Sequence, residues 1–157
     1  MLILDRYASC QKKGQTLIDE LNKYQTNDHF FFKSEDSLEE VCNAPKNESG
    51  VYVIYSLAQG NIELIYIGSS GRLLSNGDFR HRKGGLYDSI VNGNQFDDSR
   101  KRAWPKKMTE EEIEALDIYW FVTFNDEHQD IPAYVEAVLL QKHYDLYGNL
   151  PRWNEKF

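Results

Sequence analysis

Six side chains in this 157-residue sequence carry chemistry that one site could combine: Tyr52, Tyr66, Arg80, Arg82, Glu136 and Asn154. Glu136 offers a carboxylate to Mg²⁺ or Mn²⁺, hard ions that prefer oxygen and often keep most of their waters, so one protein carboxylate plus a substrate phosphate can hold them. A phenol has an ordinary pKa of about 10 and moves a proton near neutrality only when a cation or a metal-bound water perturbs it. An arginine is a planar, permanently charged donor suited to a developing negative charge. Phosphodiester hydrolysis needs an activated water, relief of charge on the phosphate and a proton for the leaving oxygen, and this set supplies each. Taken singly, each residue has a plainer role. Tyrosines in strands mostly pack, a glutamate one step off an apolar stripe is mostly solvated, and Asn154 is an ordinary turn residue.

The elements that must position these groups are legible as periodicities. Gly50–Ser56 and Ile62–Gly68 are β-branched and aromatic runs joined by Ala58-Gln59-Gly60-Asn61, which predicts a hairpin with Tyr52 and Tyr66 in its two strands. Asp117–Phe124 predicts a third strand, and a helix starting near Pro132 and stopped by Gly148 carries Glu136 beside Val135, Val138, Leu139 and Leu140. Leu17, Ile18, Leu21 and Tyr24 predict an N-terminal helix from about Ala8 to Tyr24, and Ser34–Ser37 a cap for a short helix over Leu38–Cys42. Phe79, Leu86 and Ile90 predict a helix to about Val91, Asn92–Lys107 a polar basic loop, and the capping box Thr109–Glu112 a short helix ending near Leu116. The expected fold is therefore α/β (α+β), a small central three-stranded, largely antiparallel sheet flanked by helices, in one domain.

Gly50-Val51-Tyr52 followed by Tyr66-Ile67-Gly68 resembles the signature of the GIY-YIG endonuclease superfamily, which includes excision-repair nuclease subunits, homing endonucleases and restriction enzymes. The resemblance runs over 49–154. Phe79-Arg80-His81-Arg82 matches the family's arginine, with Arg82 at the motif spacing, Arg80 as its rival and an insertion across Gly71–Gly77. Val135-Glu136-Ala137-Val138 matches the family's glutamate, and Asn149–Asn154 its closing asparagine. The resemblance implies a metal-dependent DNA endonuclease in which Tyr52 is the base, Tyr66 orients the water or phosphate, Arg82 braces the phosphate, Glu136 binds the metal and Asn154 holds the network. The implied products carry 5'-phosphate and 3'-hydroxyl ends.

The net charge of −7 is unusual for a protein that neutralises phosphates, but its distribution is uneven. Between Ser69 and Lys107, nine basic residues face four acidic ones, a local +5. Arg72, Lys83, Arg100, Lys101, Arg102, Lys106 and Lys107 are the expected nucleic-acid contacts, on segments 69–78 and 92–107 that would also read the substrate. A nuclease this compact most resembles a restriction-type enzyme; a structure-directed repair or mobile-element nuclease and a silent binding module are the alternatives. Residues 1–45 form an N-terminal helical extension outside the resemblance, and palindromic cleavage would favour a homodimer. No apolar run reaches membrane-spanning length and none has signal-peptide form, so a cytoplasmic location without membrane attachment is expected. Cys10 and Cys42 lack metal or disulfide spacing, His128 and His143 lack ligand partners at recognisable spacing, and His81 reads as a surface histidine before a proton-transfer group. Trp104 and Trp153 are expected in packing roles before base stacking.

Overall fold

The computed structural model describes Leu17 and residues 19–157. Its central feature is a four-stranded antiparallel sheet in the order β1-β8-β2-β3, built from β1 (Asn27–Phe32), β2 (Ser49–Ala58), β3 (Asn61–Ser70) and β8 (Ala115–Phe124). The two-residue strands β4 (Arg72–Leu73) and β5 (Phe79–Arg80) form one ribbon, and β6 (Asn94–Gln95) and β7 (Asp98–Ser99) another. The described helices are α1 (Leu38–Val41), α2 (Gly85–Val91), α3 (Arg100–Glu110) and α4 (Pro132–Tyr147).

β8 pairs with β1 on one side and β2 on the other, and its run Ala-Leu-Asp-Ile-Tyr-Trp-Phe-Val-Thr-Phe is buried along nearly its whole length. Burial on both faces explains why the run reads as continuous rather than alternating. One face packs Tyr52, Ile54, Ile65, Ile118 and Trp120 under α2 and α3, with Leu86, Ile90, Trp104 and Met108. The other packs Val51, Val53, Ile67 and Phe121 under α4, with Val135, Leu139 and Leu140, and also buries Leu17, Leu21 and Tyr24. The rest of the expected helix over 8–24 lies outside the described residues.

Four expectations are corrected. The sheet has four strands, not three: Asn27–Phe32 adds an edge strand, with Phe30 and Phe32 in the core and Phe31 half exposed between them. Three consecutive phenylalanines hide the alternation that marks a strand. Phe30, Phe32, Leu38 and Cys42 thus join this stretch of residues 1–45 to the same core as Tyr52. The helix expected from Phe79 begins only at Gly85, because Gly84 and Gly85 take positive φ (86° and 59°) and break it from the β5 strand. Asn92–Lys107 is not a loop: it forms the β6–β7 ribbon and then α3, whose stripe Arg100, Trp104 and Met108 faces inward at four-residue spacing. Pro105 inside that helix and an arginine on its buried face concealed it from the sequence pattern. Thr109 consequently lies near the end of α3, its hydroxyl donating to the Pro105 carbonyl (3.0 Å), and not at a helix start.

Among the described residues no helix is long and apolar enough to cross a membrane. The hairpin β2–β3 and the α4 start at Pro132 and stop at Gly148 (φ 75°) fall where the sequence puts them.

Candidate active site

The β2–β3 pairing places Tyr52 opposite Gly68 and Ile54 opposite Tyr66, with a register shift between Ile54 and Tyr55. The shift lets Ile65 and Tyr66, consecutive residues, both reach the face that holds Tyr52. The two phenol rings lie 6.1 Å apart. A Cβ on Gly68 would stand 2.7 Å from the Tyr52 ring, so glycine is required for the ring to lie across β3. At Gly50 a Cβ would meet the Phe121 carbonyl oxygen at 1.8 Å, which fixes the close pairing of β2 with β8.

Arg100 is the basic partner of both phenols. It is the first residue of α3 and only 3% exposed. Its Nη1 donates to the Tyr52 hydroxyl (2.8 Å) and the Ser89 carbonyl (2.8 Å), Nη2 to the Tyr66 hydroxyl (3.2 Å), and Nε to Gln95 Oε1 (3.2 Å). Its guanidinium carbon lies 5.3–5.4 Å from the ring centres of Tyr52, Tyr66 and Trp104. Among the described residues no carboxylate forms an ion pair with it. Burying a cation without an anion costs on the order of several kcal/mol, and the four hydrogen bonds and three ring faces offset that cost. Burial acts to lower the Arg100 pKa, but the two phenols outweigh it and the pKa is raised.

Tyr52 is 2% exposed, and Ser89 Oγ stands 3.3 Å from its hydroxyl. Tyr66 is only partly buried. Burial first, then the neighbouring Tyr52 and the Glu136 carboxylate, hold its pKa above the ordinary phenol value despite Arg100. Near neutral pH it is therefore a neutral O–H donor.

Glu136 lies in the second turn of α4 and accepts a hydrogen bond from Ser69 Oγ through Oε2. Burial raises its pKa above the ordinary carboxylate value, while the Ser69 bond opposes the rise. Asn154 grips the backbone of Ile67 from both sides, accepting from its N–H through Oδ1 (2.9 Å) and donating to its carbonyl through Nδ2 (2.9 Å). The Trp153 N–H adds a bond to the Ile65 carbonyl (2.8 Å), so this segment closes the outer edge of β3 at Tyr66.

A cleft of about 530 Å³ adjoins these groups. Ser69 and Ala133 border it on the Glu136 side and Ser89 on the Tyr52 side, and Arg72, Arg80, His81, Arg82 and Lys83 supply its basic wall.

Comparison with protein-family models, with curated proteins and with solved structures gives no match.

The sequence-derived set is thus brought together in part. Tyr52 and Tyr66 come together on the α2–α3 face of the sheet and Asn154 holds the strand that carries Tyr66, whereas Glu136 stands on α4 at the other face, bonded to Ser69 and acting on Tyr66 through its charge. Arg82 is exposed and paired to Asp88 Oδ2 (2.6 Å), whose carboxyl is held below its usual range by Asn92 and Arg82; Arg80 lies on the ribbon. Both border the cleft, and neither touches a phenol. Arg100, expected among the phosphate contacts, lies inside. Of the other expected contacts, Lys101 pairs with Glu39, Arg102 with Asp98 (2.7 Å) and Lys107 with Glu111 (4.0 Å); Lys106 is exposed. Trp104 and Trp153 are core residues. Ser69, Ser89 and Gln95 had no signal in the sequence. Arg100 had one: it shares helical spacing with Trp104 and Met108.

Among the described residues no three His, Cys, Asp or Glu side chains converge on a point. A metal ion would find Glu136 as its protein carboxylate, beside a serine hydroxyl. This all-oxygen donor set suits Mg²⁺ or Mn²⁺, completed by water and a phosphate oxygen.

Proposed function

We propose that this protein is a metal-dependent endonuclease that hydrolyses DNA phosphodiester bonds, as its resemblance to GIY-YIG nucleases implies. The observation that carries the reading is a buried arginine joining the two signature tyrosines, next to a cation-lined cleft bordered by Ser69, which bonds Glu136, and by Ser89, which bonds Tyr52. When bound at Glu136, a divalent ion would make water a nucleophile near neutral pH and neutralise phosphate charge. Arg100 fixes both hydroxyls in place. Tyr66, neutral and partly exposed, is placed to hydrogen-bond a phosphate or a leaving oxygen. The base role that the resemblance gives Tyr52 requires its hydroxyl to be uncovered past Ser89, the group between it and the cleft. A restriction-type enzyme remains the finer form of the proposal.

The test is incubation of the purified protein with supercoiled plasmid and phage DNA, with Mg²⁺ or Mn²⁺ and with EDTA, alongside Glu136→Ala. Discrete metal-dependent fragments that the variant does not produce are expected. Cutting confined to branched or flapped DNA would make it a structure-directed nuclease, and DNA binding without any cleavage would leave a binding module.

A further inference from the structure

The β4–β5 ribbon carries a charge arrangement that the ribbon's own stability does not favour. Arg72 and Arg80 are direct cross-strand partners in a hairpin of two pairs. Like charges directly opposite on a ribbon repel, and a two-stranded ribbon has little pairing energy to spare. Arg72 and Arg80 both line the cleft, as does Lys83. The nearby carboxylates are engaged elsewhere: Asp88 holds Arg82, and Asp78 accepts from Asn76 Nδ2 (2.8 Å). Among the described residues Arg72, Arg80 and Lys83 form no ion pair.

The ribbon is nevertheless firmly mounted. Phe79 stacks on Phe124 of β8 at 3.9 Å, His81 Nδ1 lies 2.7 Å from Ser49 Oγ, and the turn is closed by Leu74 N–H to the Asp78 carbonyl (2.8 Å) and Gly77 N–H to the Leu74 carbonyl (2.9 Å). A rigid mount holds the two cations together at the rim of a cleft whose other walls lead to Glu136 and Tyr52. Such a site is completed by an anion set between the arginines.

We infer that the Arg72–Arg80 ribbon is a backbone clamp, holding DNA phosphates next to the phosphodiester presented to Glu136. The inference rests on the nuclease reading for what lies in the cleft, but not for the clamp's own binding. It assigns the ribbon to sequence-independent affinity, not to base readout.

The experiment is fluorescence anisotropy of labelled DNA duplexes of several unrelated sequences, titrated in EDTA with the full chain over a series of KCl concentrations. Arg72→Gln and Arg80→Gln should each weaken binding to every duplex several-fold and reduce the slope of log K against log salt by about one, and the double variant by about two. The Arg72→Lys/Arg80→Lys chain should keep the slope, and the glutamine variants should unfold at the wild-type urea midpoint or above it, since a repulsion is removed. A double glutamine variant with wild-type affinity and slope would overturn the clamp, as would weakening confined to one duplex sequence. Cleavage by the wild type with Mg²⁺ is scored separately. A ribbon-dependent slope without cleavage sinks the nuclease reading and leaves the clamp, and cleavage with a ribbon-independent slope does the reverse.

Discussion

Arg100 and the Arg72–Arg80 pair are the same residue type in opposite surroundings. Arg100 spends every arm of its guanidinium on the protein, on two phenols, a carbonyl and an amide, and is sealed by Trp104. Among the described residues Arg72 and Arg80 pair with no carboxylate, and they face each other across a two-residue ribbon. Positive charge inside the fold organises other groups, whereas charge at the cleft is left available to a ligand. The sequence shows both as members of one basic stretch. Only the packing of α3 separates them.

The largest effect is expected at Glu136, which bonds Ser69 in the wall of the cleft that the ribbon arginines line. Glu136→Gln should reduce metal-dependent cleavage on the order of a thousandfold while leaving the urea midpoint at neutral pH unchanged or raised. A variant cleaving at the wild-type rate would end the proposed site. Next comes Arg100. Arg100→Ala empties a buried volume and leaves two phenols and a carbonyl without their donor, and should cost about 3 kcal/mol of stability in urea unfolding. Arg100→Lys keeps the charge but not the fork, and should recover only part of that loss. If Arg100→Ala unfolds at the wild-type midpoint, the buried arginine is not organising the phenols.

A smaller effect is expected at Asn154. Asn154→Ala removes two hydrogen bonds to Ile67 and should cost about 1–2 kcal/mol, with faster amide exchange at Ile67 as the local signature. An unchanged exchange rate there would show that β3 holds its edge without the clamp.

The pH dependence sharpens the contrast further. Burial raises the Glu136 pKa in the folded chain above its unfolded value. The proton is therefore bound more tightly by the folded state, and the stability Glu136 contributes is fully present below the ordinary carboxylate range and lost as pH rises through the raised value. Glu136→Gln should accordingly gain stability relative to wild type between acid and neutral pH. Cleavage should show the opposite limb, falling as pH drops through the same raised value. A stability difference that is flat with pH would contradict the burial of this carboxylate. The smallest effect belongs to Arg102, already paired with Asp98: Arg102→Gln should leave the unfolding midpoint unmoved and change DNA affinity much less than Arg80→Gln does.

The hairpin, the glutamate helix and its glycine stop were legible because each follows a clean local rule: β-branched runs around a turn, a proline at a first helical turn, a glycine at a left-handed cap. Tyr52, Tyr66 and Glu136 came with those elements. The arginine partner of the phenols did not. Arg82 sits nearer Tyr66 in sequence, but Gly84 and Gly85 break the helix that was to present it, and the ribbon carries it to the cleft rim. Arg100 reads in the sequence as a solvated phosphate contact, because a charged residue in a basic stretch is expected at the surface and Pro105 argues against a helix around it. Long-range packing decided both. The edge strand at Asn27–Phe32 was missed for a related reason, since three adjacent phenylalanines leave no polar face to count.

The bonds from Trp153 and Asn154 to β3 bear on how the chain is made. Ile67 and Asn154 are separated by 87 positions, so on a ribosome the outer edge of β3 is synthesised long before its cover. Until those later residues emerge, a strand edge beside the two tyrosines stands open to pairing with other chains. A message cut short, or a translation stall in α4, would release a protein with its hairpin made but that edge uncovered. Such fragments are expected to be cleared or to aggregate.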